Sequence, residues 1–431
     1  MTRDITRVIG RRVWDSRGRP TIEAEVHLSS GAMGRAIAPA GASTGSGEAL
    51  DKRDGGKAFG GYDVKHGVAA VNGEIAAALH GLDAADQAHA DGILIALDGT
   101  PNKSRLGGNA LIAVSMAIAQ AAAAQAGLPL WRFLGRERDD HLLPLPEIQI
   151  FGGGAHAGRR VDVQDFMVIA VGAETYEEAL DWTAEVYRSA GRIMADAGLY
   201  QGVADEGGFW PAFNANEQAL DYLVRAIEGA GFTPGEDVAI SLDIAASDFG
   251  KGGRYALSTD GKTVDSDGLS EMLLGWLERY PIVAIEDPLG EDDPAAMAAF
   301  TAAAGDKVEV VADDFICTTA ARIEEAAALG ACNTALIKPN QAGTLSETKA
   351  AFDAAQAAGW ESLVSARSGE SEDTTIVHLA VGWGAKQLKV GSFARSERMA
   401  KWNEGLRIAE ALGAEGGRLA ARRTFPWGRR P

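Results

Sequence analysis

Val238-Ala-Ile-Ser-Leu-Asp243, Ile282-Val-Ala-Ile-Glu286, Val308-Glu-Val-Val-Ala-Asp313, Ala335-Leu-Ile-Lys338, Ser362-Leu-Val-Ser365 and Gln387-Leu-Lys389 are versions of one phrase. Each is a short apolar run that ends on a charged or small polar residue. The ends at 286, 313, 338, 365 and 389 are separated by 27, 25, 27 and 24 residues, and the gaps are rich in Ala, Leu and Glu. A β-branched run alternating with a helical stretch at this interval marks βα units around a parallel sheet. The step matches eight units in roughly 250 residues, so the stretch predicts a (β/α)8 barrel.

The charged ends say where the chemistry lies. Barrel active sites sit at the C-terminal ends of the strands, and strand interiors exclude unpaired charge. Asp243, Glu286 and Asp313 therefore converge on one point in this reading. Three carboxylates there ionise together only around a cation, and hard oxygen donors suit Mg2+. Lys338 and Lys389, two units apart, are expected to flank that ion from the other side.

Composition narrows the class. At 431 residues the chain is long for one domain, so a barrel with a smaller companion is the natural division, with 46% hydrophobic residues for the cores. A formal charge of −19 and a pI near 4.9 argue against nucleic acid or an anionic membrane as partner. Two cysteines, Cys317 and Cys332, do not indicate a disulfide framework. No secretory leader pattern or membrane span is read, and a cytoplasmic location is expected.

Taken in order, Ile5–Leu28 reads as antiparallel strands turned at Arg17-Gly18-Arg19-Pro20. The small-residue stretch Ala38–Gly45 is a plain surface loop or a lid, and local sequence favours the surface loop. Residues 67–80 and 109–127 read as helices, the second so rich in Ala that it should pack closely on a neighbour. Residues 1–138 form the first domain and 139–431 the second in this reading. Ile148–Phe151 and Val163–Val171 are expected strands, the latter carrying Gln164 and Asp165. His156, among glycines and alanines, is either an incidental loop residue or a group delivered by a moving loop. A plain turn accounts for Asp205-Glu206-Gly-Gly208 equally well on local grounds. Arg418–Pro431, with five arginines, reads as an ordered or frayed tail rather than a barrel element, a solvated end being favoured over a partner or subunit contact.

These motifs together resemble the enolase (phosphopyruvate hydratase) family. The resemblance is carried by Asp15-Ser-Arg-Gly18, Gly41-Ala-Ser-Thr-Gly45, Leu97-Asp-Gly-Thr100, Asn102-Lys-Ser104, Asp205–Gly208, Ile285-Glu-Asp-Pro288, Val311-Ala-Asp-Asp314, Asn340–Ser346, Arg367-Ser-Gly369 and Ala394–Arg398. It implies a small α+β N-terminal domain, then an enolase-type (β/α)8 barrel with one antiparallel strand, in a homodimer or larger homo-oligomer. It implies Asp243, Glu286 and Asp313 as ligands of a tightly held Mg2+, with Ser43 closing on a second ion that arrives with substrate. Lys338 matches the base that takes the C2 proton of 2-phosphoglycerate, and Lys389 faces the substrate carboxylate. Glu206 matches the acid that helps the C3 hydroxyl leave. His156 lies in the corresponding mobile loop, Asp165 in the acid's surroundings, and Gln164, Arg367 and Ser368 on the substrate.

The chain departs from the family pattern beside the leaving group. Ser365-Ala366-Arg367-Ser368-Gly369 has Ala where the family carries His, and Gln164-Asp165-Phe-Met has Asp where it carries Glu. Both changes open space, whereas the metal ligands and both lysines match. One expectation is a glycolytic enolase with tolerated drift. The sharper one is a paralogue of the carboxyphosphonoenolpyruvate synthase type, found in phosphinothricin-like phosphonate antibiotic pathways, which joins nucleotide-activated phosphonoformate to a three-carbon unit from 2-phosphoglycerate. A third, a non-catalytic enolase-like binding protein, leaves the retained charges without a purpose.

Overall fold

The computed structural model describes residues 3–413 and 417–429. Three antiparallel strands open the chain, β1 (Ile5–Trp14), β2 (Pro20–Leu28) and β3 (Met33–Ile37). The third was not anticipated: at five residues beside a glycine-rich loop it is too short to show a period. The helix Gly108–Ala126 lies across this sheet, almost wholly buried. A Cβ on Gly34 would stand 2.2 Å from the Ala117 carbonyl and from the Ala121 nitrogen. That proximity is what the alanines allow. It also accounts for the one helix among the described residues that is long and apolar enough to cross a membrane, which here is mostly buried inside the protein.

The second part is a closed barrel. Its strands are β4 (Leu145–Gly152), β5 (Asp165–Ile169), β8 (Ala239–Asp243), β12 (Ile282–Glu286), β13 (Glu309–Ala312), β14 (Thr334–Ile337), β15 (Glu361–Ser365) and β16 (Gln387–Ser392). Two excursions supply the intervening numbers: the hairpin β6 (Tyr200–Val203) and β7 (Phe209–Pro211), and a small sheet of β9 (Gly250–Lys251), β10 (Arg254–Leu257) and β11 (Lys262–Asp265). β16 pairs in parallel with β4 and closes the ring. β5 alone runs against its neighbours, antiparallel to both β4 and β8. Its first residue, Asp165, therefore pairs with the last residue of β8, Asp243. Reversal of that one strand brings its N-terminal end to the rim where the others finish.

Asp243 and Glu286 end their strands, and Asp313 and Lys338 follow theirs directly, as expected. Lys389 differs. It sits inside β16, which continues to Ser392, so its side chain enters the barrel rather than the loop layer.

The tail reading needs correction. Phe425 and Trp427 are buried and stacked, with ring centroids 4.7 Å apart. The indole Nε1–H of Trp427 donates to Glu309 Oε2 at 2.8 Å, and Gln387 donates to the same oxygen at 3.1 Å. Glu309 and Gln387 begin their strands, so the tail closes the barrel at the end opposite the charged rim. Arginines concealed this, because the two aromatic side chains between them do the packing.

Candidate active site at the barrel mouth

The rim gathers more negative than positive groups. Lys389 Nζ donates to Asp243 Oδ2 at 2.9 Å and to Glu286 Oε2, with Asp165 Oδ2 at 3.8 Å. Lys338 Nζ donates to Asp313 Oδ2. The lysines thus stand among the carboxylates instead of across from them, because at this burial each carboxylate draws in the nearest ammonium. Gln164 Nε2 donates to Asp243 at 3.0 Å and Gln341 Nε2 to Asp313 at 2.9 Å, fixing both acids from the side.

The acid–base balance follows from this crowding. Burial, and then the charge of Asp243, hold the Glu286 carboxyl well above the ordinary carboxylate range. Burial and Asp313 push Asp287 up to about 8 and Asp314 up to about 9. Burial would lower Lys338, but the adjoining Asp313 outweighs it and the amine is raised; Lys389 is raised further by Asp243 and Glu286. Glu286 Oε1 is buried with no hydrogen-bond partner. An orphaned carboxyl oxygen beside Asp243 and near Asp313 belongs to a set of hard oxygen donors of the kind that suits a divalent cation. The residues fit Mg2+. Asp287, Asp313 and Asp314 also place carboxylate oxygens within 4.8 Å of one another. Asp287 is partly committed, accepting from the amides of Asp313 and Asp314 at 3.0 and 2.8 Å.

On the β5 side, the short turn Gly154–Ala157 carries His156 into the rim, where it is 6% exposed. Its Nδ1 lies 2.9 Å from Asp165 Oδ1 and its Nε2 3.0 Å from Ser368 Oγ. Burial disfavours the cation, but the charges of Asp165 and Glu206 outweigh it and raise the imidazole to about 9. The same pairing, against burial, lowers Asp165 to about 2. Both ring nitrogens then donate, so the trio of His156, Asp165 and Glu206 reads as an ion-paired cluster and not a metal donor set. Glu206 Oε1 stands 3.8 Å from His156 Nε2. The hairpin of β6 and β7 presents it, and the Ser392 amide fixes its backbone by donating to the Glu206 carbonyl at 2.9 Å. His156 is thus no incidental loop residue.

The Gly41–Gly45 stretch is packed onto the barrel, contrary to the surface-loop reading. Arg367 Nη2 donates to the Ser43 carbonyl at 3.0 Å, and both terminal nitrogens of Arg367 engage Glu48 at 2.9 and 3.1 Å. A Cβ on Gly41 would fall 2.0 Å from Arg367 Nη2, and one on Gly45 2.4 Å from Cys317 Sγ. The glycines permit contact. Among the described residues, the Ser43 hydroxyl makes no hydrogen bond to the rim carboxylates. Local sequence could not reveal this closure, since the partners lie some 320 residues away.

The fold agrees with comparison against known families. The enolase C-terminal TIM barrel domain matches residues 140–424, and the enolase N-terminal domain matches residues 5–134. The chain belongs to the enolase family. It is therefore an enzyme of the enolase superfamily, whose members typically use Mg2+, and it retains acidic groups able to bind a metal. Within this enolase fold, Glu48, Asn340, Gln341 and Arg398 also belong to the site, though sequence reasoning gave them no role. Asn340 Oδ1 accepts from Arg367 at 3.1 Å, and fully buried Arg398 donates to the Arg367 and Ser368 carbonyls. Three of them lie in or beside quoted motifs, which was the available signal. Ala366 is buried at the start of this segment, its amide donating to the Lys389 carbonyl at 2.8 Å.

Proposed function

We propose that Lys338 removes the C2 proton of 2-phosphoglycerate or a close analogue, in a Mg2+-dependent reaction that yields an enolpyruvate product. The observation that carries this reading is the buried cluster of Lys338 and Lys389 with Asp243, Glu286 and Asp313 at the barrel mouth. A proton α to a carboxylate is very weakly acidic, and its loss creates a dianionic enediolate. Asp243, Glu286 and Asp313 would hold Mg2+, and Ser43 would serve a second ion; bound there, the metal would supply positive charge to offset that of the dianion. Lys389 adds charge at the substrate carboxylate. Lys338 acts in its neutral form, which burial, Arg367 and Lys389 favour and the charges of Asp313 and Glu286 oppose. Arg367 and Ser368 take the phosphate, Arg367 exchanging Glu48 for it. Gln164 orients Asp243, and Asp165 keeps His156 cationic beside Glu206, the acid on the leaving-group side.

The specialised, synthase-type reaction is the form we favour. It is supported by Ala366 in place of a large polar side chain and by the shortened acid Asp165, which is drawn onto His156 and Gln149. Dehydration of 2-phosphoglycerate to phosphoenolpyruvate is the alternative, supported by Glu206 at the rim. A non-catalytic role is opposed by the cost of burying so many charges. The setting we propose is a cytoplasmic homodimer or larger homo-oligomer that acts on small anionic substrates, with neither nucleic acid nor membrane as partner.

The test is incubation with Mg2+ and 2-phosphoglycerate, without and then with nucleotide-activated phosphonoformate. A product that needs both substrates supports the synthase reading. Rapid phosphoenolpyruvate formation from 2-phosphoglycerate alone supports the dehydratase.

A further inference from the structure

The two segments that deliver His156 and Glu206 also build a second cleft on their outer side. Its walls are Gly158, Arg159 and Arg160, which follow His156, and Gln201, Trp210 and Ala212, on and beside the hairpin that carries Glu206. Ser258 and Thr259 form the remaining edge. The volume, about 890 Å3, falls within the roughly 300–1,000 Å3 typical of small-molecule sites.

Three features point to a ligand that is both flat and anionic. The indole of Trp210 is 37% exposed, and a Cβ on Gly158 would meet its six-membered ring at 3.2 Å, so the loop packs against a ring that is still partly open to solvent. Arg160 has no ion pair among the described residues, only the Ala212 carbonyl at 3.4 Å, in a chain of net charge −19. Arg159 holds a left-handed backbone, φ 56°, which residues with a side chain seldom adopt. It reaches Asp248 at 3.1 Å to the carbonyl and 3.5 Å to the carboxylate while 58% of its side chain stays exposed. An exposed indole next to two guanidinium groups recognises an aromatic base and a phosphate.

We propose that this cleft is the subsite for the nucleoside 5′-phosphate portion of the second substrate, with the base stacked on Trp210 and the phosphate between Arg159 and Arg160. This rests on the synthase reading, in which a nucleotide accompanies the transferred group. Occupancy couples directly to the rim, because the ligand touches the loop behind His156 and the hairpin behind Glu206.

The full-length protein is titrated calorimetrically with CMP, AMP, ribose 5-phosphate and inorganic phosphate. CMP or AMP is expected to bind at least tenfold more tightly than ribose 5-phosphate. Arg160→Gln and Trp210→Leu, each with an unchanged melting temperature, are expected to weaken nucleotide binding at least tenfold. Arg159→Gln serves in place of either variant that melts early. Binding that none of these variants weakens overturns the cleft while leaving a nucleotide substrate possible. Failure of the wild type to bind any nucleotide overturns the cleft, and the two-substrate product assay then reports separately whether the synthase reading stands.

Discussion

His156 Nδ1 lies 2.9 Å from Asp165 Oδ1, and the partnership exists because β5 runs backwards and sets Asp165 on the reactive rim. The shortened acid is thereby committed to a buried imidazolium.

That ion pair makes stability depend on pH. Folding raises His156 from 6.5 to about 9, so its contribution is complete below pH 6.5 and is lost as pH rises through 9. Asp165, lowered from 3.8 to about 2, contributes above 3.8 and loses that contribution as pH falls through 2. The pair, counted once, is worth about 2–3 kcal/mol between those limits. Urea unfolding in chelator should show midpoints falling between pH 6.5 and 9, with the fall flattened in His156→Gln. An equal fall in the variant would contradict the assignment.

Mg2+ should stabilise the fold by offsetting the mutual repulsion of Asp243, Glu286 and Asp313 and by giving the buried, unpartnered Glu286 Oε1 a partner. At a hundred times its dissociation constant the gain is about 2.7 kcal/mol, read as a rise in melting temperature. Glu286→Gln or Asp243→Asn should abolish most of that rise. A rise retained in both would move the ion to other ligands.

Ala366→His combined with Asp165→Glu restores the bulk and reach that the family pattern has on the leaving-group side. Phosphoenolpyruvate formation should increase by at least about tenfold, since misplacing an acid by roughly 1 Å costs on the order of a hundredfold. No gain in a folded double variant would mean these two positions do not limit that step.

The strand ends were readable because parallel barrel strands are apolar throughout, so a charge marks where each stops. Asp243, Glu286, Asp313 and Lys338 follow that rule. Lys389 does not, because inside β16 its ammonium is satisfied by Asp243 and Glu286 from other strands, which local sequence does not show. The direction of β5 likewise leaves no trace in its own residues and was implied only by resemblance. The clamp of Glu48 and Ser43 on Arg367 depends on chain segments far apart in sequence. Alternating arginines and aromatics in the tail hid a packed end.

Trp427→Ala should cost about 3–5 kcal/mol, the range for deleting a large buried aromatic, and leaves Glu309 short of a donor at the barrel floor. Glu309, raised to about 8 by burial, then loses one of the bonds that favour its charge. Chemical denaturation measures the loss. A change below about 0.5 kcal/mol, the level of ordinary surface substitutions, would restore the tail to a solvated end.

The central claim, that Lys338 takes the C2 proton, is tested most directly by following the C2 hydrogen of 2-phosphoglycerate in D2O with Mg2+, in wild type and in Lys338→Ala. The account predicts exchange in the wild type, whether or not phosphoenolpyruvate accumulates, and a loss of about 10²–10⁴-fold in the variant. Absence of exchange and product in the wild type, or exchange undiminished in a folded Lys338→Ala, would contradict it.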